Sequence, residues 1–524
     1  MGEAYLLDCT LRDGGYINDW RFGENTIRGI CRLLAQAGLD YIEVGFLKGD
    51  TYDADRSMFP DTDSFSNVIC PKSTHSKYVG MLDMSAPVPI TQIKPRNEST
   101  IDGIRVIFKK DKLDLAYEYC KKVKELGYFV TVNFVSTDQY TDKEFIDGIE
   151  RFNTLYPAVM TIVDTFGMIK RKQFMRLVYL ADNNMAEGVM LGYHAHNNLQ
   201  QAFGNAEALI EMNLKRDVLI DACVFGMGRG AGNLNLELFA EHMNDSREKN
   251  YKIEPILEIM DSYLNEIYRT KFWGYSLPLY LSATAGCHPN YAIYLAEKNT
   301  LTVKAFNELL QRIPSEAKGR FNKEKAEFFY RNYMENYLDD KYDVERLEKE
   351  WAGKTILVLA PGRSLNRFAE QIKKLACDEK TVVIAANFAG GDFEPDYVFS
   401  SNMRRFAKIQ EVTSAKCIVT SNMKECTRKD YVVNFSSYSA SKDEIIDNSA
   451  LMLLRLLVAA GVKETMIAGM DGYSLLSSED YYDERLTYDF SREAKKRNEM
   501  ISEELCEIGK SLKMIFLTPT VYKF

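Results

Sequence analysis

The stretch Ala4-Tyr5-Leu6-Leu7-Asp8-Cys9-Thr10-Leu11-Arg12-Asp13-Gly14-Gly15-Tyr16 decides the reading of the amino-terminal half. A short, mostly apolar run of strand character breaks off into a cation, a carboxylate and two glycines, as where a buried strand ends at a working loop. An amphipathic stretch, 25–37, follows and stops at Gly38. Working outward, the same unit recurs. Strand candidates lie at 41–45, 78–82, 104–108, 128–134, 159–163, 189–194 and 218–224, with helical patterns such as 112–126 and 172–182 between them. Eight strands alternating with helices is the count of a (β/α)8 barrel. An open doubly wound sheet is the structural rival.

The chain has 524 residues, too many for one hydrophobic core, and about two to four domains are expected. Hydrophobic residues make up 46% and charged ones 27%, the balance of a soluble globular protein and not of a disordered or fibrous one. A net charge of −9 provides no general basic field for nucleic acid or anionic lipid. Ten cysteines, spread from Cys9 to Cys506 without CxxC pairs, indicate neither a zinc ribbon nor a disulfide framework. The first residues lack a basic segment leading into an apolar one. The best membrane candidate, 450–462, is too short and carries Arg455. The expectation is a reduced, cytoplasmic, multidomain enzyme or binding protein with no nucleic-acid or membrane partner, assembled as a homo-oligomer.

Three domains are expected: a barrel over 1–290, a helical connector over 291–351 and a Rossmann-like α/β domain over 352–524. The connector has Tyr, Phe and Leu at three- and four-residue spacing with charges between. The last domain opens with strand candidates at 355–360, 382–386, 397–400, 417–420, 465–468 and 515–518, and its apolar stretch 449–460 demands burial.

If the barrel forms, three separated stretches meet at the carboxyl ends of strands, where barrel active sites sit. They are Arg12-Asp13 with Tyr16, His194-Ala195-His196-Asn197, and the glycine-rich Gly226 to Asn233. His194 and His196 are two apart on a strand, so their imidazoles project from one side. With Asp13 supplying a hard oxygen, two nitrogens and one or two oxygens suit Mn²⁺, Mg²⁺, Co²⁺ or Zn²⁺. The competing reading is an ordinary packing pair. Arg12 can stabilise an oxyanion on a 2-oxo acid or thioester, or can close the barrel in a structural ion pair. Glu43, at the end of the second strand, can orient Arg12 or serve as a structural ion-pair partner, and Asn233 can add an oxygen donor or belong to a plain loop with turn glycines.

LDCTLRDGGY, IEVGF, VDTFG, GYHAHNN and GAGNLNLE, in that order, resemble the DRE-TIM metallolyases, whose members include 4-hydroxy-2-oxovalerate aldolase, 3-hydroxy-3-methylglutaryl-CoA lyase, isopropylmalate synthase and homocitrate synthase. The resemblance covers about residues 4–290 and is strongest to the aldolase branch. It implies Asp13, His194 and His196 as ligands of a divalent metal, Mn²⁺ or Mg²⁺ before Co²⁺ or Zn²⁺, with Asn233 as a further ligand. It implies Arg12 as the enolate-stabilising cation and Glu43 as the carboxylate holding it. One departure matters. The aldolases have a catalytic histidine three residues after the aspartate, and Tyr16 stands in or beside that place. A phenol is a poor base at neutral pH. Tyr16 is then an acid or an anchor, and the base is His288, Tyr291 or a metal-activated water. The GEQ element of the synthases is absent.

In the last domain, Leu357 to Leu365 reads as a strand, a tight turn and a helix start whose free amides can hold a phosphate, although neither a Walker loop nor a full GxGxxG is present. An ordinary turn is the competing reading. With the stretches around Asn387, Asp396 and Asp471 this half is similar to 6-hydroxymethylpterin pyrophosphokinase-like and bacterial sialyltransferase-like proteins. That similarity implies Gly362, Ser364, Asn387 and Asp471 as the lining of a nucleotide pocket; Asp471 reads equally well as the cap of a loop. The functional expectation is a metal-dependent aldolase acting on a 2-oxo acid and an aldehyde, fused to a nucleotide-binding domain. The alternatives are an acyl-CoA-dependent Claisen synthase or lyase on the same barrel, and a non-catalytic nucleotide-sensing module.

Overall fold

The computed structural model describes residues 2–69, 71–476, 480–486 and 488–524. The chain divides into two compact units, Met1–Ala292 and Ile293–Phe524.

The first unit holds β1 (Ala4–Asp8), β2 (Tyr41–Leu47), β3 (Met58–Phe59), β4 (Lys77–Asp83), β5 (Gly103–Phe108), β6 (Phe129–Phe134), β7 (Val159–Asp164), β8 (Met190–Ala195) and β9 (Val218–Ala222). All pair in parallel. β9 returns to β1 with Ile220 opposite Leu6, and β1 pairs β2 with Leu7 opposite Tyr41, so eight strands close into a barrel. Closure excludes the open sheet. β3 is a two-residue spur on β2.

The helices around the barrel follow from their sequences. In Glu24–Ala37, Ile27, Ile30, Cys31, Leu34 and Ala37 bury one face at three- and four-residue spacing. The helix ends at Gly38, whose φ of +81° lets its N–H close back on Leu34 and Ala35. Asp142–Asn153 starts from a reciprocal cap between Thr141 and Glu144. The expected strict alternation of strand and helix fails in two places. Among the described residues, the crossovers 48–76 and 84–102 contain no α-helix: besides β3 they hold short 3₁₀ turns at Ser64–Asn67, Ile90–Gln92 and Arg96–Glu98. Pro60, Pro87, Pro89 and Pro95 remove the amide donors and fix the φ angles that a longer helix would need otherwise.

The barrel lumen is apolar at its amino end and charged at its carboxyl end. Leu7, Cys9, Tyr41, Val79, Val159 and Leu219 form one cluster, joined by Tyr5, Phe129 and Met190. Two residues further along their strands, on the same side, come Glu43, Thr131, Thr161 and Asp221, all buried. That polar layer is the floor of the site.

The second unit begins with the helices Val303–Arg312, Lys323–Met334 and Lys341–Trp351, then builds a parallel seven-stranded sheet. Its strands are β10 (Thr355–Leu359), β11 (Thr381–Ala386), β12 (Tyr397–Ser400), β13 (Lys416–Thr420), β14 (Tyr431–Val433), β15 (Glu464–Ala468) and β16 (Lys513–Phe516), in the spatial order β14-β13-β12-β11-β10-β15-β16. Strand addition runs one way from β10 to β14 and then resumes on the other side of β10, which makes the end of β10 a topological switch point. The helices before the sheet are tied to it. The Tyr330 hydroxyl donates to Asp447, the Asn336 amide to the Ser421 carbonyl, and the Asn434 N–H to Asp340. Ser449–Ala459 is buried as its composition requires, and its one charge, Arg455, reaches the Ser439 carbonyl and Glu504. Among the described residues no helix is long and apolar enough to cross a membrane.

Candidate metal centre

β1 stops at Asp8 because the chain ties itself into a knot of side-chain bonds there. The Thr10 hydroxyl and N–H both donate to Asp8, at 2.6 and 3.1 Å, and the Val224 N–H donates to the Thr10 hydroxyl at 2.8 Å. The end of β1 is thereby fixed to the segment after β9. Thr10–Gly14 then forms a single π-helical turn, a form frequent at functional sites, which carries Arg12 and Asp13 inward. The Met227 side chain packs directly on Gly14, where a Cβ would lie 2.9 Å from its sulfur. His194 is the penultimate residue of β8, and His196 lies just beyond, bridged to Asn233.

The groups converge. His194 Nε2 lies 2.9 Å and His196 Nε2 3.6 Å from Asp13 Oδ2, and the two rings stand nearly perpendicular with centroids 5.5 Å apart. One donor atom from each of Asp13, His194 and His196 lies within 4.8 Å of the others, and all three residues are buried. Asn233 donates its amide hydrogens toward the Met227 carbonyl, at 3.1 Å, and Cys223 Sγ, at 3.3 Å. Its Oδ1 is buried without a hydrogen bond, as are Asp13 Oδ1 and His196 Nδ1, while Asp13 Oδ2 has the ion-pair contacts with Arg12 and the two imidazoles. Orphaned acceptors at one buried point call for a cation or ordered water, and this nitrogen–oxygen donor set fits a divalent metal. A second grouping, Cys9, His194 and Asp221, shares His194. Burial and the neighbouring Cys223 hold the Cys9 thiol well above its ordinary pKa, so it offers no thiolate to this centre.

Behind the donors runs a closed ring of buried charges. Asp13 meets Arg12 at 3.2 Å, and Arg12 Nε donates to Glu43 at 2.7 Å. Arg105 donates to Glu43 at 3.1 Å and also to Asp221. Asp221 accepts from His194 Nδ1 at 3.0 Å, and His194 returns to Asp13. Three carboxylates against two guanidiniums and the imidazole of His194 leave the ring neutral while His194 is protonated and one negative charge once it gives up that proton, the state in which it can hold a cation. Burial works against ionising Asp13, but Arg12 and the imidazoles outweigh it and hold the carboxyl far below its ordinary range. Burial likewise opposes the charged form of His194, yet Asp13 and Asp221 push its pKa well up. His196 is driven down to about 4 by burial and is neutral at neutral pH, as a ligand must be.

Arg105 and Asp221 did not stand out in the sequence. The one signal is a lone charge inside each of the apolar runs Ile104–Phe108 and Val218–Ala222, which burial tolerates only with a partner. Tyr16 lies on the rim with its ring against Trp20, centroids 4.8 Å apart, and Phe46, 6.3 Å apart. Desolvation and Asp13 raise its phenol above the ordinary value, which disfavours it as a base. His288 arrives from beyond the barrel strands and packs on Phe166 with ring centroids 5.6 Å apart. It contacts Arg229, and burial and that guanidinium depress its pKa to about 3. Tyr291 is fully buried.

In the second unit the switch-point turn is occupied from within. The Ser364 N–H and hydroxyl, expected as free donors for a phosphate, both go to Asp471, the amide at 2.7 Å. Gly362 is needed because a Cβ would lie 2.2 Å from the Gly469 carbonyl oxygen. Asn387 takes a φ of +62° and accepts from Ser400 at 3.0 Å. Asp471 thus serves as a cap on this turn and places negative charge where a phosphate would lie.

Residues 103–262 match the HMGL-like family. The chain is 29% identical over 245 residues to the 4-hydroxy-2-oxovalerate aldolase of Roseiflexus sp. (strain RS-1), an alignment that covers 46% of this chain and 70% of that protein. It is 24% identical over 237 residues to the oxaloacetate decarboxylase of Mycobacterium tuberculosis, covering 45% of this chain and 68% of that one. Among solved structures, the Bacillus subtilis HMG-CoA lyase aligns at 14% identity and a TM-score of 0.41, over 51% of this chain and 93% of its own.

Proposed function

We propose that the amino-terminal unit is a divalent-metal-dependent aldolase that makes or breaks a carbon–carbon bond next to a 2-oxo acid. The observation that carries this reading is the meeting of Asp13, His194 and His196 at one buried point beside Arg12. Asp13, His194 and His196 would hold the cation, with Asn233 Oδ1 as a fourth donor. Bound there, a divalent metal supplies Lewis-acid polarisation of the keto oxygen. Arg12, fixed by Glu43, faces the same oxygen with a permanent charge and stabilises the negative charge that grows as C3 becomes an enolate carbon. Glu43 and Arg105 keep that guanidinium from turning, so the stabilisation costs no reorganisation during the reaction. His288 is neutral, but its depressed pKa and its contact with Arg229 make it a weak base that serves to hold that guanidinium, while Tyr16, with its raised pKa, stays protonated and donates a hydrogen bond or anchors.

The test is exchange of the pyruvate methyl protons in deuterated water with Mn²⁺. Wild-type protein is expected to exchange them. His196→Ala is expected to slow exchange at least ~100-fold, as loss of a ligand or orienting group does, with unchanged circular dichroism. Exchange by folded His196→Ala at the wild-type rate contradicts the assignment.

A further inference from the structure

Three buried or half-buried arginines stand at the carboxyl end of the barrel, and two are balanced. Arg12 faces Asp13 and Glu43, and Arg105 faces Glu43 and Asp221. Arg229 differs. It lies in the loop after β9, four residues before Asn233, and its guanidinium stands 5.7 Å from the centre of the Tyr16 ring. Its one hydrogen-bonding side-chain contact is the neutral imidazole of His288, and among the described residues no carboxylate forms an ion pair with it. Desolvation lowers its pKa, with only the distant charge of Asp13 and the Tyr16 phenol acting the other way. A guanidinium withdrawn from water without a counter-ion is costly, and a site that keeps one is built for an arriving anion.

Its position says which anion. The donors at Asp13, His194 and His196 and the cation of Arg12 are buried and turn toward the carboxylate and keto group of the 2-oxo acid. Tyr16 follows Asp13 by three residues and is 42% exposed, so Tyr16 and the half-buried Arg229 against its ring lie on the outer side of the donors, with His288 buried behind the guanidinium. The partner of the new carbon–carbon bond must approach from that side. We propose that Arg229 recognises an anionic group, carboxylate or phosphate, on the aldehyde partner, and so makes this an aldolase for charged aldehydes. The inference rests on the aldolase reading above. In the addition direction the C3 proton passes to the base, the C3 electron pair forms the bond to the aldehyde carbon, and the carbonyl π pair becomes an alkoxide that takes up a proton. Arg229 takes part in none of these transfers. It sets specificity by holding the far end of the aldehyde.

The experiment compares pairs of aldehydes added to pyruvate with Mn²⁺: succinic semialdehyde against butanal, and glyceraldehyde 3-phosphate against glyceraldehyde. Wild-type protein is expected to favour the charged member of one pair in kcat/KM, and the responding pair tells carboxylate from phosphate. In Arg229→Gln that preference is expected to fall by at least ~10-fold, and Arg229→Lys to keep part of it. No preference in either pair, or a preference intact in Arg229→Gln, overturns the proposal. So does a rise in the pyruvate KM of Arg229→Gln that matches its loss on the charged aldehyde, since Arg229 would then hold the 2-oxo acid itself. Pyruvate proton exchange by wild-type protein needs no aldehyde and tests the aldolase reading separately. Should that fail, calorimetric titration of the metal-free protein with succinic semialdehyde and glyceraldehyde 3-phosphate still decides. Binding to wild type that is lost in Arg229→Gln supports anion recognition, and equal binding or none overturns it.

Discussion

Asp8 shows how far one buried carboxyl can be moved without a counter-charge. It sits at the end of β1 with no exposed surface and accepts from the Thr10 hydroxyl and N–H, and burial pushes its pKa from 3.8 up to about 7. Because the folded-state value lies above the unfolded one, the folded protein binds the extra proton between about pH 4 and pH 7. Its stability contribution is therefore complete below pH 4 and lost as pH rises toward 7. Asp8→Asn cannot ionise. Its thermal midpoint relative to wild type is expected to rise between pH 4.5 and 7.5, and a difference that stays flat would show Asp8 ionised in the folded state. Asp13, five residues on, behaves oppositely because guanidinium and imidazole surround it. At this scale Arg12, Asp13, His194 and His196 were legible in the sequence, since charged and histidine side chains at predicted strand ends are conspicuous. Arg105, Asp221 and Arg229 were not. Their meaning depends on partners 62 to 116 positions away for the first two, and on a missing partner for the third.

Elements decide how accurately these side chains are presented. The loop Gly226–Asn233 returns on itself so that the Asn233 N–H donates to the Gly226 carbonyl at 2.9 Å. Gly232 makes this possible, with a φ of +81° and its missing Cβ only 2.0 Å from the Gly226 carbonyl oxygen. Gly232→Ala is expected to cost about 1–3 kcal/mol of stability through backbone strain and to weaken Mn²⁺ binding by moving Asn233. Thermal unfolding and calorimetric titration measure the two effects, and wild-type affinity in the variant would remove Asn233 from the donor set. Strands were the most legible elements, because a buried strand declares itself in five or six consecutive residues. The two helix-free crossovers of the barrel were misread. No strand was expected at β14, a three-residue edge strand whose placement comes from pairing with β13 and from the helices before the sheet.

For the whole molecule, the barrel closes on itself within Met1–Ala292, and its charge ring, donors and rim residues all fall inside that unit. A fragment of residues 1–297, which keeps the helix Pro289–Glu297 intact, is expected to fold and to show the pyruvate exchange of the full chain. Circular dichroism and the exchange rate check it, and an unfolded fragment would show that the barrel depends on the rest of the chain. The sequence by itself determined the order of strands, the two parallel α/β halves and the residue types gathered for metal chemistry, because periodicity and short motifs are properties of neighbouring residues. Tertiary structure alone decided that β1 closes on β2 and β9, that Asp471 fills the turn at Ser364, that six charged groups form one ring and that Arg229 is left over. Each of these is a contact between residues far apart in the chain, up to 214 positions for Cys9 and Cys223, and local patterns hold no information about which distant partner a buried group will meet.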